Sequence, residues 1–209
     1  MQSDPLAGYN VLSYQSPLGH SIRIVRQTFE ALGPNPNKRI SFISGLHGDE
    51  LEGVFLCYRL LQYLKNLKET RPEVFQGEIH IYRAVNPQAL GNASRLWPFF
   101  ATDMNRLFGE RGESLPTHAA ERLLKDIQSR SDLAVDFHAS NIHLWESPQV
   151  RIIEGFHKKL IPLAVQCNVD LIWVHPASPM FESTLGYNLN QSKIRTLVIE
   201  TGIALRINQ

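Results

Sequence analysis

Residues 38–50, KRISFISGLHGDE, decide how this chain begins to fold. The run is apolar and β-branched up to Gly45, a pattern that predicts a buried strand followed by a turn into a helix. His47 and Glu50 lie in that turn, and the H-x-x-E spacing lets an imidazole nitrogen and a carboxylate oxygen approach one point, as metal ligands do. Gly45 and Gly48 suit the turn, because glycine permits positive φ and leaves room for a metal beside the backbone.

Two later strands deliver further side chains of the same kind. Residues 132–137 (DLAVDF) predict a short strand with His138 at its carboxyl end. Residues 195–199 (RTLVI) predict another strand, which leads into Glu200. Active sites of open α/β sheets form at the carboxyl ends of the strands, so we expect these side chains to meet.

The combination of His47, Glu50 and His138 predicts a zinc site that holds one ion per chain. Catalytic zinc is characteristically held by three protein ligands and keeps a fourth position for water. A short H-x-x-E motif alone is weak evidence, so the hypothesis depends on the three strand ends together. Zinc is inferred from the type of ligand, and cobalt or manganese would also suit this set.

Strands and helices alternate along the chain, which indicates an α/β protein. A segment at 88–116 has little regular structure, and loops of that length in a compact domain are usually functional. Residues 177–193 read as a further loop that borders the cleft. The predicted strands are 21–30, 38–45, 78–85, 132–137, 170–175 and 195–199, and the predicted helices are 51–68, 117–130 and 155–167, the last interrupted by Pro162.

Bulk composition excludes several classes of protein. A formal charge of +1 over 209 residues gives no reason to expect a nucleic-acid or anionic-membrane partner, since both need concentrated positive charge. The N-terminal residues show no basic and apolar leader pattern, and no stretch approaches the ~20 apolar residues of a transmembrane helix. The two cysteines, Cys57 and Cys167, read as buried thiols, which predicts a cytoplasmic protein. Homo-oligomer formation is left open.

Five ordered motifs carry a family resemblance: GLHGDE, NPQAL, SR before DMNRLFG, DFHAS and IETG. In that order they resemble the succinylglutamate desuccinylase/aspartoacylase family, a branch of the zinc carboxypeptidase-like hydrolases. The match runs from about Arg39 to Gly202, which is most of the chain. It implies a three-layer α/β/α fold around a central mixed, largely parallel twisted sheet.

The resemblance also implies which candidate residues bind the metal and which acts as the base. His47, Glu50 and His138 match the three zinc ligands, in agreement with the spacing argument. Glu200 matches the general base, which accepts a proton from the attacking water and later hands it to the leaving amine. Without Glu200 the metal should still bind, but turnover should collapse.

Four residues of the long irregular segment match substrate-handling positions of the family. Asn105 and Arg106 match the pair that grips the substrate carboxylate, which a guanidinium can do with two parallel hydrogen bonds. Arg95 matches the arginine that polarises the scissile carbonyl, a contribution on the order of 3 kcal/mol for comparable donors. Asp103 matches an acid that orients a zinc-bound histidine, most simply His47.

Three other residues near these motifs have open or structural interpretations. Asp49 is better explained as a helix N-terminal acid than as a metal ligand. Asp136 either orients a ligand or is a buried, hydrogen-bonded acid, and it is not counted among the site residues. Tyr187 could reach the substrate, although a lone tyrosine in a turn-rich stretch is usually structural.

Two departures from the family pattern bear on substrate and length. Aspartoacylases carry a further arginine shortly upstream of the base, where this chain has Asn188, Asn190 and Gln191, so N-acetylaspartate is not the expected substrate. Residues 1–209 are expected to form a single zinc-hydrolase domain. The family's smaller C-terminal β-rich domain is expected to be missing because the sequence is a truncated piece.

These observations predict zinc-dependent hydrolysis of the amide bond of a small N-acyl amino acid, such as an N-succinyl or N-acetyl amino acid. One alternative is a zinc carboxypeptidase that acts on a peptide or cell-wall fragment, since the same residues can hold a C-terminal carboxylate. The other is a non-catalytic, carboxylate-binding module of the same fold.

Overall fold

A computed structural model describes residues 8–15, 19, 21–32 and 38–208, and these residues form eight strands and five α-helices. The strands are β1 (Tyr9–Gln15), β2 (Ser21–Phe29), β3 (Arg39–Ser44), β4 (Glu78–Tyr82), β5 (Leu133–Ser140), β6 (Glu146–Ile153), β7 (Leu171–His175) and β8 (Arg195–Ile203). The α-helices are α1 (Leu51–Thr70), α2 (Pro87–Gly91), α3 (Leu115–Arg130), α4 (His157–Ala164) and α5 (Leu185–Gln191). Short 3₁₀ turns occur at Pro72–Val74, Met104–Arg106 and Pro179–Phe181.

All eight strands belong to one sheet with the order β1-β2-β4-β3-β5-β8-β6-β7. The four central strands, β4, β3, β5 and β8, are parallel to one another. β2 joins one side of this group in the antiparallel sense, and β6 joins the other side in the same way. The expected mixed, largely parallel sheet is therefore confirmed, and the carboxyl ends of β3, β5 and β8 lie side by side.

Helices cover both faces of the sheet, which completes the three expected layers. On one face α1 buries Cys57, Leu61 and Leu64 among sheet residues such as Ile81. α4 covers β6 and β8 through Leu160 and Ala164. The opposite face carries α3 and α5, whose apolar side chains join the largest core cluster. Burial of these apolar faces against the sheet is the main stabilising contribution, at about 25 cal/mol per Å².

The structure differs from the sequence prediction at several elements. Residues 177–193 are not a plain loop, because they include α5; its glycine and asparagines have low intrinsic helix propensity, and Leu185 and Leu189 hold it by packing into the core. β1 and β6 were not predicted at all. The helix expected at 117–130 begins earlier, at Leu115, because the Ser114 side chain accepts a hydrogen bond from the Thr117 backbone NH.

The remaining helix prediction holds with a small change, and the cysteine prediction holds for only one of the two residues. α4 is shorter than the segment predicted at 155–167 and contains Pro162, as expected. Cys57 is fully buried, whereas Cys167 is only half-buried, so the prediction of two buried thiols is wrong for Cys167. Both thiols are free.

Candidate metal centre and active site

The turn between β3 and α1 carries the first two candidate ligands. Gly45 begins the turn with φ +72°, a conformation that favours glycine. Gly48 is required for another reason than the sequence suggested: a Cβ there would lie 1.9 Å from the backbone carbon of Ala89 in α2. Close approach of two backbones, and not space for a metal, therefore explains this glycine. Glu50 caps the N-terminus of α1, and its side chain makes no capping hydrogen bond.

The Glu50 carboxylate lies between the two candidate histidine ligands. Its Oε1 atom is 2.7 Å from Nδ1 of His47, and its Oε2 atom is 2.9 Å from Nδ1 of His138. The ligand atoms of the three residues all lie within 4.8 Å of one another, and all three side chains are buried. Burial alone would raise the pKa of Glu50, but the His138 and His47 imidazoles hold that pKa well below its usual range. The carboxylate is therefore ionised.

A second carboxylate meets the far nitrogen of each ring. Nε2 of His47 lies 3.0 Å from Oδ1 of Asp103, and Nε2 of His138 lies 3.0 Å from Oδ2 of Asp136. Asp136 and His138 are two residues apart on β5 and so point to the same face of the sheet. Asp136, which the sequence left open between two roles, thus contacts a candidate ligand directly.

The donor set fits a zinc ion. A metal-bound histidine almost always donates its other ring N–H to a carboxylate or carbonyl, which fixes the tautomer and the ring orientation. Both rings meet this requirement, because each presents Nδ1 to the ligand group and Nε2 to an aspartate. Two imidazole nitrogens and one carboxylate form a common protein ligand set for catalytic zinc.

Glu200 lies beside this group on the neighbouring parallel strand. The register of β5 and β8 places His138 directly opposite Glu200. Burial raises the pKa of the Glu200 carboxyl to about 7, against the lowering influence of His138 and Arg151. A carboxyl group with a pKa near neutrality can accept and release a proton at physiological pH, as a general base must.

The three remaining sequence-predicted residues lie along the same cleft. Arg95 donates to Oε1 of Glu50 at 3.1 Å and approaches Oδ2 of Asp103 at 3.4 Å, with 46% of its side chain exposed. The side-chain oxygen of Asn105 accepts a hydrogen bond from the Leu185 backbone NH, which anchors it to α5. Arg106 donates to the backbone carbonyl of Asn105. Each arginine keeps N–H groups that can meet a substrate anion.

The cleft has a volume of about 530 Å³ and extends from the ligand group past Glu200 to β6, β7 and α5. That size is typical of small-molecule sites. Tyr187 lines it, packs edge-on against Phe156 at 5.8 Å between ring centroids, and accepts a hydrogen bond from Gln191 through its hydroxyl. Asn188 donates to three backbone carbonyls and is a structural residue of α5.

The sequence analysis missed the polar residues of β6 that line the cleft. Arg151 lies 3.3 Å from Oε1 of Glu200 through Nη1, and it also pairs with Glu146. The signal was present in the segment ESPQVRII, where Gln149 and Arg151 alternate with buried Val150 and Ile152 in the period of a strand. Pro148 obscured the pattern, because proline demotes a strand prediction.

Comparison with known proteins agrees with this fold and assigns the chain to a family. A sequence model of the succinylglutamate desuccinylase/aspartoacylase catalytic domain matches residues 36–209. The chain belongs to the succinylglutamate desuccinylase/aspartoacylase family. A search among curated protein sequences gave no significant match.

Several crystal structures share the fold of this family member at low sequence identity. A product-bound structure of the ectoine utilization protein EutE (DoeB) from Ruegeria pomeroyi has a TM-score of 0.79 and 19% identity, and the alignment covers 94% of this chain and 59% of that one. A succinylglutamate desuccinylase/aspartoacylase from Rhodobacter sphaeroides has a TM-score of 0.74 and 22% identity over 91% of this chain and 55% of that one. The chain thus spans less than two thirds of the length of these proteins.

A metallo-carboxypeptidase from Burkholderia cenocepacia has the same fold, with a TM-score of 0.73 and 14% identity over 96% of this chain and 56% of that one. The expected carboxypeptidase-like architecture is therefore confirmed. In the part of the chain that the structure describes, none of the helices is both long enough and apolar enough to cross a lipid bilayer.

Proposed function

We propose that this protein is a zinc-dependent amidohydrolase that cleaves the amide bond of a small N-acyl amino acid, such as an N-succinyl or N-acetyl amino acid. The observation that carries the proposal is the position of Glu200, whose pKa is raised to about 7, directly across the strand pair from His138. A base poised near neutrality beside a group of three metal-type ligands is the arrangement that hydrolysis of an unactivated amide needs.

One zinc ion held by His47, Glu50 and His138 would act as a Lewis acid and would make water more acidic. Asp103 and Asp136 hold the two imidazoles in the tautomer that leaves Nδ1 available. Glu200 accepts a proton from the attacking water and returns it to the amide nitrogen as the carbon–nitrogen bond breaks. The products are a carboxylate and a free amine.

Two arginines and an asparagine of the segment 88–116 would bind the substrate and stabilise the transition state. Arg106 and the Nδ2 group of Asn105 would bind the carboxylate of the amino acid, because the Asn105 oxygen is already engaged with α5. Arg95, which lies 3.1 Å from the Glu50 carboxylate, would stabilise the negative charge that develops on the carbonyl oxygen. Its contact with Glu50 supports this role, because it keeps the guanidinium next to the ligand group.

The single sheet supports the view that one catalytic domain contains all of these residues. A cytoplasmic location, expected from the cysteines, stays a prediction. The proposed partner is the small-molecule substrate, with homo-oligomer formation left open as before, and the identity of the acyl group is open within this class.

The test is a comparison of substrates with the zinc-loaded protein. We expect release of free amine from a panel of N-acetyl and N-succinyl amino acids, with little turnover of dipeptides or of N-acyl amines that lack a carboxylate. Preferred turnover of dipeptides would favour the carboxypeptidase alternative. Stoichiometric zinc with no turnover on either panel would favour a non-catalytic, carboxylate-binding module.

A further inference from the structure

β6 presents polar side chains to the cleft, on the face of the sheet that carries the proposed base. It pairs with β8 in the antiparallel sense, and the register sets Gln149 opposite Glu200 and Arg151 opposite Val198. Arg151 is therefore the diagonal cross-strand neighbour of Glu200 on the same face. Long side chains can bridge such diagonal positions, which are about 7–8 Å apart.

Arg151 is the residue that contacts the Glu200 carboxylate. Its Nη1 atom lies 3.3 Å from Oε1 of Glu200. Among residues 8–15, 19, 21–32 and 38–208, no other side chain forms an ion pair or hydrogen bond with that carboxylate. Arg151 is therefore the described side chain that is in a position to orient the Glu200 carboxylate by direct contact.

Arg151 itself is fixed from two further sides. Its Nη2 atom donates to Oε1 of Glu146, which also accepts a 2.6 Å hydrogen bond from Nε2 of Gln149. A register shift between Glu146 and Gln149 in the pairing with β8 accompanies this three-residue contact. The guanidinium carbon also lies 5.2 Å from the centre of the Trp173 ring on β7, a cation–π distance.

We propose that Arg151 is a positioning residue that holds the Glu200 carboxylate in the cleft, and that Glu146 and Trp173 hold Arg151 in turn. The inference rests on the proposed function, since it assigns Glu200 as the base. It goes beyond that function by giving β6 and β7 a part in the reaction, although neither strand carries a predicted site residue.

Arg151 contacts two acids, Glu146 and Glu200, through different nitrogens, as a positioning residue requires. Nη2 of the guanidinium donates to Glu146, whereas Nη1 lies 3.3 Å from Oε1 of Glu200. Because the two acids meet different nitrogens, Arg151 can stay anchored to Glu146 while it orients Glu200.

The test replaces Arg151 and separates kcat from KM. In the zinc-loaded protein, R151M should lower kcat about 10- to 100-fold, because a misplaced catalytic group costs that much. KM should stay within about twofold for both N-acetyl-L-alanine and N-acetyl-L-glutamate, because Arg151 is not assigned to substrate binding. In R151A, which leaves space where the side chain was, guanidinium chloride at concentrations that leave the fold intact should restore part of the lost kcat.

Two further variants keep the test decisive if R151M folds poorly. R151K should retain more activity than R151M but less than the native protein, since an ammonium cannot serve two carboxylates in the same planar geometry. E146Q should lower kcat in the same direction through loss of the anchor. R39M is the matched control, because Arg39 is also a strand arginine that forms an ion pair, in its case with Asp132. It is 35% exposed against 31% for Arg151, and it lies outside the cleft.

Each result supports or overturns the proposal. A loss of kcat on both substrates that guanidinium repairs supports it. Loss of no more kcat in R151M and R151K than in the control R39M would overturn it. A rise in KM confined to N-acetyl-L-glutamate would also overturn it, because that result would assign Arg151 to recognition of a second substrate carboxylate. E200Q is measured in parallel: if E200Q keeps full activity, the proposed base is wrong, a failure that is distinguishable from that of Arg151.

Discussion

The two walls of the cleft differ in how deeply their polar side chains are buried and in how many partners hold them. The ligand wall consists of His47, Glu50, His138 and the aspartates Asp103 and Asp136. All three ligand side chains are at most 5% exposed, and each ring nitrogen of the two histidines faces a carboxylate. Such a wall is fixed before any substrate arrives.

The base wall, Glu200 with Glu146, Gln149 and Arg151, is looser. Glu200 is 13% exposed and Arg151 is 31% exposed. Within the described part of the chain, this wall has two buried atoms without a hydrogen-bond partner, Oε1 of Gln149 and Nε of Arg151, and the ligand wall has one, Oδ1 of Asp136. Unsatisfied buried groups are costly, at about 1–3 kcal/mol each, so they are kept where they serve a purpose or meet a water or ligand.

The difference shows which property each wall must supply. Metal ligands need fixed geometry and fixed protonation, which dense pairing of imidazole and carboxylate provides. A general base needs proton affinity near neutrality, and burial of the Glu200 carboxyl provides it by raising its pKa to about 7. Changes in the ligand wall should therefore weaken or remove metal binding, whereas changes in the base wall should lower turnover and leave the metal in place.

The largest expected effect is loss of metal in E50Q. An uncharged amide cannot replace the carboxylate between two imidazoles, so zinc affinity should fall by more than the roughly 10- to 100-fold typical of outer-shell changes, and activity should fall with it. Metal content measured by mass spectrometry after dialysis checks this. D49N, a change in the same turn, is the control and should keep its zinc; equal zinc loss in both variants would contradict the assignment of Glu50.

E200Q should keep its zinc and lose turnover, in contrast to E50Q. We expect normal zinc content and a fall in kcat of about 10²- to 10⁴-fold, the range that positioned general bases contribute. Zinc analysis and steady-state kinetics on the same preparation check it. Retained turnover would remove Glu200 as the base, and loss of zinc would show that the two walls are not separable.

D136N tests whether the ligand wall depends on its aspartates. An amide at this position accepts hydrogen bonds less strongly than a carboxylate, so zinc affinity should fall about 10- to 100-fold without abolishing binding. Competition with a fluorescent chelator measures the change. Unchanged affinity would assign Asp136 to packing instead.

The smallest effect is expected in the pH profile. Glu200 acts as a base only when it is deprotonated, so kcat/KM should decline as the pH falls through its pKa, which burial raises to about 7. A bound dication favours the carboxylate, so the acid limb should lie at or below that value. Rate measurements across the acid range locate it, and a limb well above neutrality would argue against Glu200 as the titrating group.

Much of the ligand wall could be predicted from the sequence, because its signals are local. His47 and Glu50 are three residues apart in a turn that follows an apolar strand, and His138 lies near the end of another. The structure brings them together with Glu200. The resemblance of ordered motifs added Arg95, Asn105 and Arg106, all of which line the same cleft.

Other features could not be predicted from the sequence, because they depend on contacts with residues far away along the chain. The contact of Asp103 with His47 joins residues 56 apart, and only the family resemblance suggested it. α5 lacks strong helix formers and is held by packing and by asparagine hydrogen bonds to backbone carbonyls. The sequence could not show either kind of support, since neither leaves a periodic pattern in the segment itself.

The amino-acid sequence by itself determined the α/β class, the family and the three ligand-type residues, because strand periodicity, turn residues and short motif spacings can each be recognised within a short stretch of sequence. Only the tertiary structure decided how the base is held, because β6 reaches β8 through the order of the sheet. That pairing places Arg151 beside Glu200, 49 residues later in the chain, and no local pattern encodes which strands become neighbours.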